Sequence, residues 1–91
     1  MSYTLRYSDD AKKVIAIYKK SNPIAYKKVY RLIAEISENP REGTGHPKPL
    51  TKGNDIRYSR RISANDRIIY DIYDDKVLVM IVSVGGLYDD K

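Results

Sequence analysis

The chain contains no cysteine, phenylalanine or tryptophan, and only one histidine, His46, among its 91 residues. Without cysteine there is no disulfide, no thiol nucleophile and no cysteine-built zinc site. A lone histidine makes a histidine-ligated metal site unexpected, and no cofactor is assigned. No apolar run approaches the roughly twenty residues that cross a bilayer. The first twenty residues also alternate charge too densely for a signal peptide. No membrane association is therefore expected, and the cytoplasm is the expected compartment. The length suits one domain, residues 1–91, built around one core.

What the chain does have is positive charge and tyrosine. Its net charge is +5. Residues 41–67 hold Arg41, Lys48, Lys52, Arg57, Arg60, Arg61 and Arg67 against Glu42, Asp55 and Asp66, so most of the excess lies in one stretch. A basic patch confined in this way is an electrostatic footprint for a polyanion. Nine tyrosines supply every aromatic ring. A tyrosine packs its ring in a small core while its hydroxyl stays wet, and it also stacks on a base; packing is expected for most of them.

Residues 2–7 alternate and read as a strand with Tyr3, Leu5 and Tyr7 on one face. Ser8 is a natural helix N-cap, and Asp9 and Asp10 suit the positive end of the helix dipole. Ala11, Val14, Ile15 and Tyr18 then recur at helical spacing. Asn22-Pro23 closes this helix and opens a second, with Tyr26, Val29, Leu32 or Ile33, and Ile36 on its apolar stripe. Asn39-Pro40 ends it. Lys27, Lys28 and Arg31 read as a solvated face. Residues 40–55, with three prolines and three glycines, read as an ordered loop. Residues 56–62, 67–73 and 77–84 give three strands, the last apolar on both faces and so expected inside the sheet. The order is β-α-α-β-β-β. This predicts an α+β domain whose antiparallel-rich sheet is covered on one face by a helical hairpin.

Four arginines fall within residues 57–67, on two alternating segments joined by a polar turn. A rigid hairpin fixes guanidiniums in one geometry, and arginine holds phosphate in a planar two-bonded fork. A site for a nucleic-acid backbone is expected here. By alternation Arg60 points opposite Arg61. Arg57 and Arg60, with Lys52 and His46, are expected to bind RNA phosphates or position the groups that do.

The segments Glu42-Gly-Thr-Gly-His-Pro-Lys-Pro-Leu50, Tyr58-Ser-Arg-Arg-Ile62, Arg67-Ile-Ile-Tyr70 and Leu87-Tyr88 resemble the Txe/YoeB family of toxins in the RelE/ParE superfamily. The resemblance runs nearly end to end and includes the order of elements. It implies the toxin of a bacterial type II toxin–antitoxin pair, a ribosome-dependent endoribonuclease that cuts mRNA in the A site of the 70S ribosome. It implies a cognate antitoxin of the YefM, Axe or Phd kind, contact with operator DNA only through that antitoxin, and a homodimer. Carried over by position, the family's active-site arginines fall on Arg61 and Arg67, and its C-terminal tyrosine on Tyr88. Two positions depart from the pattern. Lys48 stands where the family commonly has glutamate, and Leu87 stands where it commonly has the catalytic histidine.

Cleavage without a metal needs a base for the 2′-hydroxyl, stabilisation of the phosphorane charge and an acid for the 5′-oxygen. Arg61 and Arg67 meet the second need. Lys48 is the candidate base, provided burial and neighbouring arginines favour its neutral form. Leucine moves no proton, so Tyr88 or His46 is left as the acid, or Leu87 marks an inactivated chain. The alternative reading is a catalytically silent protein of the same fold that binds antitoxin or ribosome without cutting. Glu42 is expected to anchor the loop by pairing an arginine.

Overall fold

The computed structural model describes residues 2–50 and 56–86. The elements are β1 (Thr4–Tyr7), α1 (Asp9–Ser21), α2 (Pro23–Glu38), β2 (Lys48–Pro49), β3 (Arg57–Arg61), β4 (Arg67–Tyr73), a single 3-10 turn (Asp74–Lys76) and β5 (Leu78–Gly85). The helix boundaries follow from local chemistry. The Ser8 hydroxyl accepts the Ala11 N–H at 3.0 Å, and Asp9 and Asp10 occupy the first turn. Asn22 serves both helices: its backbone N–H donates to Tyr18 O and its side chain accepts from Ala25 N, with Pro23 opening α2. One residue thus turns the chain from α1 into α2.

On α2, Val29, Leu32, Ile33 and Ile36 are all buried, so the stripe is one residue wider than the spacing alone required. They pack on Tyr58, Ile62, Ile68, Tyr70, Ile72, Val79, Ile81 and Val84 of the sheet and its turn. Each fully buried aliphatic side chain contributes about 1.5–3 kcal/mol. Ala11 is the one buried residue of α1, while Val14, Ile15 and Tyr18 pack at the margin of the core.

The sheet order is β1-β5-β4-β3-β2. β5 lies in the interior, parallel to β1 and antiparallel to β4, as its two-sided apolar sequence requires. Two details depart from expectation. Residues 40–55 are not all loop, because Lys48–Pro49 adds a short edge strand against β3. Val77 does not begin β5. It sits at φ 50°, closing the 3-10 turn with its N–H on Asp74 O at 3.1 Å, so β5 starts at Leu78. A register shift between Ile69 and Tyr70 leaves Val82 as an extra residue of β5, bending the strand near its end.

Candidate active site

Strand alternation sorts the basic residues between the two faces of the sheet. Tyr58, Arg60, Ile68, Tyr70 and Ile72 point toward the helices. Ser59, Arg61, Arg67, Ile69 and Asp71 take the face away from the helices, where Ser59, Ile69 and Asp71 are buried. Arg61 and Arg67 are direct cross-strand partners, so their side chains rise from adjacent positions on that face. Directly opposed residues have Cβ atoms about 4.5–5.5 Å apart, and like charges there repel. Among the described residues neither arginine has a carboxylate partner. Arg61 is exposed and Arg67 half-buried. Two guanidiniums held side by side, with no carboxylate on them among the described residues, are an arrangement that suits an anion.

The loop before β2 folds onto the same end of the sheet. Gly45 O accepts the Arg61 N–H at 2.7 Å, and Lys48 then pairs with Ser59. Lys48 therefore stands on the same face as Arg61, one strand away. His46, exposed and at φ 53°, follows Gly45 beside Arg61. Lys48 is exposed, so burial, one of the two conditions for its role as base, is not met. The β3–β4 turn is tied by Ile62 N–H on Asp66 O at 2.7 Å and by the Ser63 hydroxyl on Asp66 Oδ2 at 3.1 Å. β5 ends against this turn. Gly85 pairs with Arg67, and a Cβ on Gly86 would fall 2.4 Å from Asn65 O, so only glycine passes there. Gly86, the last described residue, thus lies at the Arg67 end of the sheet. Lys52, Leu87 and Tyr88 lie outside the described residues.

A sequence model described as the YoeB-like toxin of bacterial type II toxin–antitoxin systems matches residues 7–84. The chain belongs to this family. Curated YoeB toxins of Streptomyces coelicolor and Escherichia coli K12 are 37% and 38% identical over 54 and 53 residues, covering 59% and 58% of this chain. Those stretches are 64% and 63% of the relatives, so the chain spans just under two thirds of the length of the curated relatives it matches. The YoeB/ParE toxin from Agrobacterium tumefaciens superposes with a TM-score of 0.84 at 21% identity, over 93% of this chain and 99% of that one, a likeness of fold. The YoeB dimer from Staphylococcus aureus reaches 0.81 at 26% identity over 97% and 100%. The heterotetrameric YoeB–YefM complex from the same organism reaches 0.79 at 26% identity, with the same coverage.

Within this YoeB-like fold, two of the expected phosphate-binding arginines are already engaged. Arg60, expected among the RNA contacts, is not at the site. It is fully buried under α2 and bonds to Tyr70, Glu35 and three backbone carbonyls. Alternation already sent it to the other face from Arg61; what it meets there comes from α2 and the loop. The loop anchor expected of Glu42 is likewise corrected. The carboxylate on Arg60 is Glu35, at 3.1 Å, whereas Glu42 contributes its backbone oxygen. Arg57 lies on the same face as Arg61 but is gripped by Asp71 through two bonds, 2.7 and 2.9 Å. Among the described residues this leaves Arg61, Arg67 and Lys48 as exposed or half-exposed cations grouped at the β3–β4 end.

Glu35 was missed from the sequence because it sits on the polar side of a helix pattern. It accepts the Thr44 N–H at 2.8 Å as well as Arg60, and these bonds hold its carboxyl below the ordinary range, the Thr44 hydrogen bond most of all. Tyr70 was expected only as part of the "RIIY" resemblance. Its hydroxyl donates to Pro40 O at 2.6 Å, and burial pushes its pKa up.

Proposed function

We propose that this chain is the toxin of a type II toxin–antitoxin pair and an endoribonuclease that cuts mRNA in the ribosomal A site. The observation that carries the reading is the opposed pair Arg61, exposed, and Arg67, half-buried, on the face away from the helices and without a carboxylate partner among the described residues. In the reaction the 2′-hydroxyl loses its proton to a base and attacks the adjacent phosphorus. The bond to the 5′-oxygen breaks, that oxygen takes a proton, and a 2′,3′-cyclic phosphate remains. The two guanidiniums stabilise the extra negative charge of the phosphorane, where prearranged donors act most strongly. Lys48 adds charge beside them. Tyr88 is the candidate acid near the end of the chain, and the whole of residues 1–91 acts as one toxin domain in the cytoplasm.

The partners follow from the same reading: the 70S ribosome with its mRNA, a second copy of the chain, and a YefM-like antitoxin. The antitoxin supplies an acidic segment that orders over Arg61 and Arg67 and blocks them. Family structures of a YoeB dimer and of a YoeB–YefM complex support this choice.

A second reading is favoured by two positions. Lys48 and Leu87 replace the carboxylate and imidazole of the family pattern, which describes a protein that grips RNA or antitoxin without cutting. General acid–base help is worth about 10²–10⁴-fold in rate. The deciding experiment is induced expression of the natural chain and of Leu87→His, with growth and mRNA ends followed. Arrested growth with mRNA cut at codon boundaries supports the nuclease. Cleavage only in Leu87→His identifies the natural chain as the silent form. Intact mRNA and normal growth with both chains sink the nuclease reading.

A further inference from the structure

We infer that Arg60 is a positioning residue, whose buried guanidinium holds the loop of residues 39–46 against the sheet and so sets where His46 and Lys48 stand beside Arg61 and Arg67. The inference rests on the cleavage reading above and deepens it.

A guanidinium carries five N–H donors in a planar fork. All five are used here. Nε donates to the Tyr70 hydroxyl at 3.1 Å. Nη1 donates to Glu35 Oε1 at 3.1 Å and Thr44 O at 3.3 Å, and Nη2 to Asn39 O at 2.5 Å and Glu42 O at 2.6 Å. Three of the acceptors are backbone carbonyls of one loop, gathered around a single cation. Tyr70 extends the grip by donating to Pro40 O. Glu35 closes it from α2 by accepting the Thr44 N–H. A buried cation with no free donor does not bind phosphate; it organises the carbonyls that neutralise it.

The glycines of the loop fit the same arrangement. A Cβ on Gly43 would lie 2.6 Å from Glu35 Oε1 and 2.9 Å from Arg60 Nη1, and one on Gly45 would lie 2.8 Å from Arg61 O. Both glycines also have positive φ, 127° and 87°. The Glu42-Gly-Thr-Gly45 run is thus shaped to lie close to Arg60 on one side and the β3 backbone on the other. From there Gly45 O takes the Arg61 N–H, and the chain enters the Lys48–Ser59 pairing. Adjacent residues of one strand therefore divide the work. Arg60 fixes the loop from the helix face, and the exposed Arg61 meets the anion on the other. Lysine cannot replace Arg60, because three tetrahedral donors do not reach five coplanar acceptors.

The test uses Glu35→Ala, Glu35→Gln and Arg60→Lys in the full chain. Two properties are measured: amide hydrogen exchange at Arg61 and Leu50, and single-turnover RNA cleavage set against RNA affinity. Cleavage is followed in whichever background cuts, natural or Leu87→His. The Ser8 N–H, bonded to Ile81 O away from the loop, is the internal control. In Glu35→Ala, Arg61 exchange should rise about tenfold or more while Ser8 stays protected. Cleavage should fall about 10²-fold with the RNA dissociation constant little changed, as for reacting groups displaced by about 1 Å. Glu35→Gln keeps an acceptor oxygen and should retain Arg61 protection. Arg60→Lys should resemble Glu35→Ala or be more severe; where it does not fold, the partly exposed Glu35 carries the test.

Unchanged Arg61 exchange in folded Glu35→Ala overturns the anchoring. Faster exchange with undiminished cleavage overturns its consequence for the site. If neither background cuts RNA, the proposed function fails, while the exchange measurements still decide whether Arg60 and Glu35 hold the loop.

Discussion

Removing one oxygen atom tests the buried network with little change in volume. Tyr70 is fully buried, and its hydroxyl has two partners: it accepts from Arg60 Nε at 3.1 Å and donates to Pro40 O at 2.6 Å. Tyr70→Phe leaves both groups buried and unpartnered. Each such loss costs about 1–3 kcal/mol, toward the upper end for a charged donor, so about 2–5 kcal/mol is expected in all. A domain of this size shifts its melting midpoint by about 4–8 °C per kcal/mol, which corresponds to a fall of about 8–40 °C. Against a total stability of about 5–15 kcal/mol this is a severe change. Urea and thermal unfolding followed by circular dichroism measure it, with Tyr3→Phe as the comparison. The Tyr3 hydroxyl meets Asp74 at an exposed site, so water replaces the lost partner and the effect is smaller. A Tyr70→Phe variant within about 0.5 kcal/mol of the natural chain refutes the reasoning, since that is the range of an ordinary surface change. The same hydroxyl also carries a pH signature. Burial raises its pKa in the folded chain, so folding holds a proton that the unfolded chain releases. Its contribution is complete below about pH 10 and declines as the pH rises through the folded value, a decline Tyr70→Phe removes.

Arg61→Ala and Arg67→Ala should each weaken RNA binding and flatten its salt dependence, by about 0.7 for every phosphate of a single strand that is no longer neutralised; an unchanged slope refutes a phosphate role for that arginine. Gly45→Ala places a Cβ 2.8 Å from Arg61 O on a backbone at φ 87°, and should cost about 1–3 kcal/mol in denaturant unfolding while loosening the loop. An unperturbed midpoint would show that the loop does not lie against β3. Acid should destabilise the fold as the pH falls below about 4. Glu35, held by the Thr44 N–H and Arg60, and Asp74, held by Arg41 and Tyr3, both have lowered pKa values in the folded chain. Their contribution is present above the unfolded value and lost as the pH falls through the folded one. Glu35→Gln should lose less stability across that window, and an identical acid profile would refute the assignment.

Local chemistry was readable without a structure wherever one residue acts on its own neighbours. Ser8, Asn22-Pro23 and Asn39-Pro40 set the helix ends because a cap or a proline acts within four residues. The apolar run of residues 77–84 pointed to an interior strand, and Leu78–Gly85 does lie between β1 and β4. Alternation separated Arg60 from Arg61, and the concentration of charge in residues 41–67 drew attention to the β3–β4 end. Family membership was readable too, from short motifs at fixed spacing. Tertiary structure decided what each arginine meets. Glu35 is 25 residues from Arg60 and Pro40 is 30 from Tyr70, so no local pattern joins them. The parallel pairing of β1 with β5, and the strand made by Lys48–Pro49, likewise exist only once distant segments lie side by side. Four arginines in one short stretch are alike in sequence. Folding buries Arg60 among carbonyls and pairs Arg57 with Asp71. It leaves Arg61 and Arg67 without a carboxylate among the described residues, because a cation's role depends on which oxygens the chain brings within about three ångströms of it.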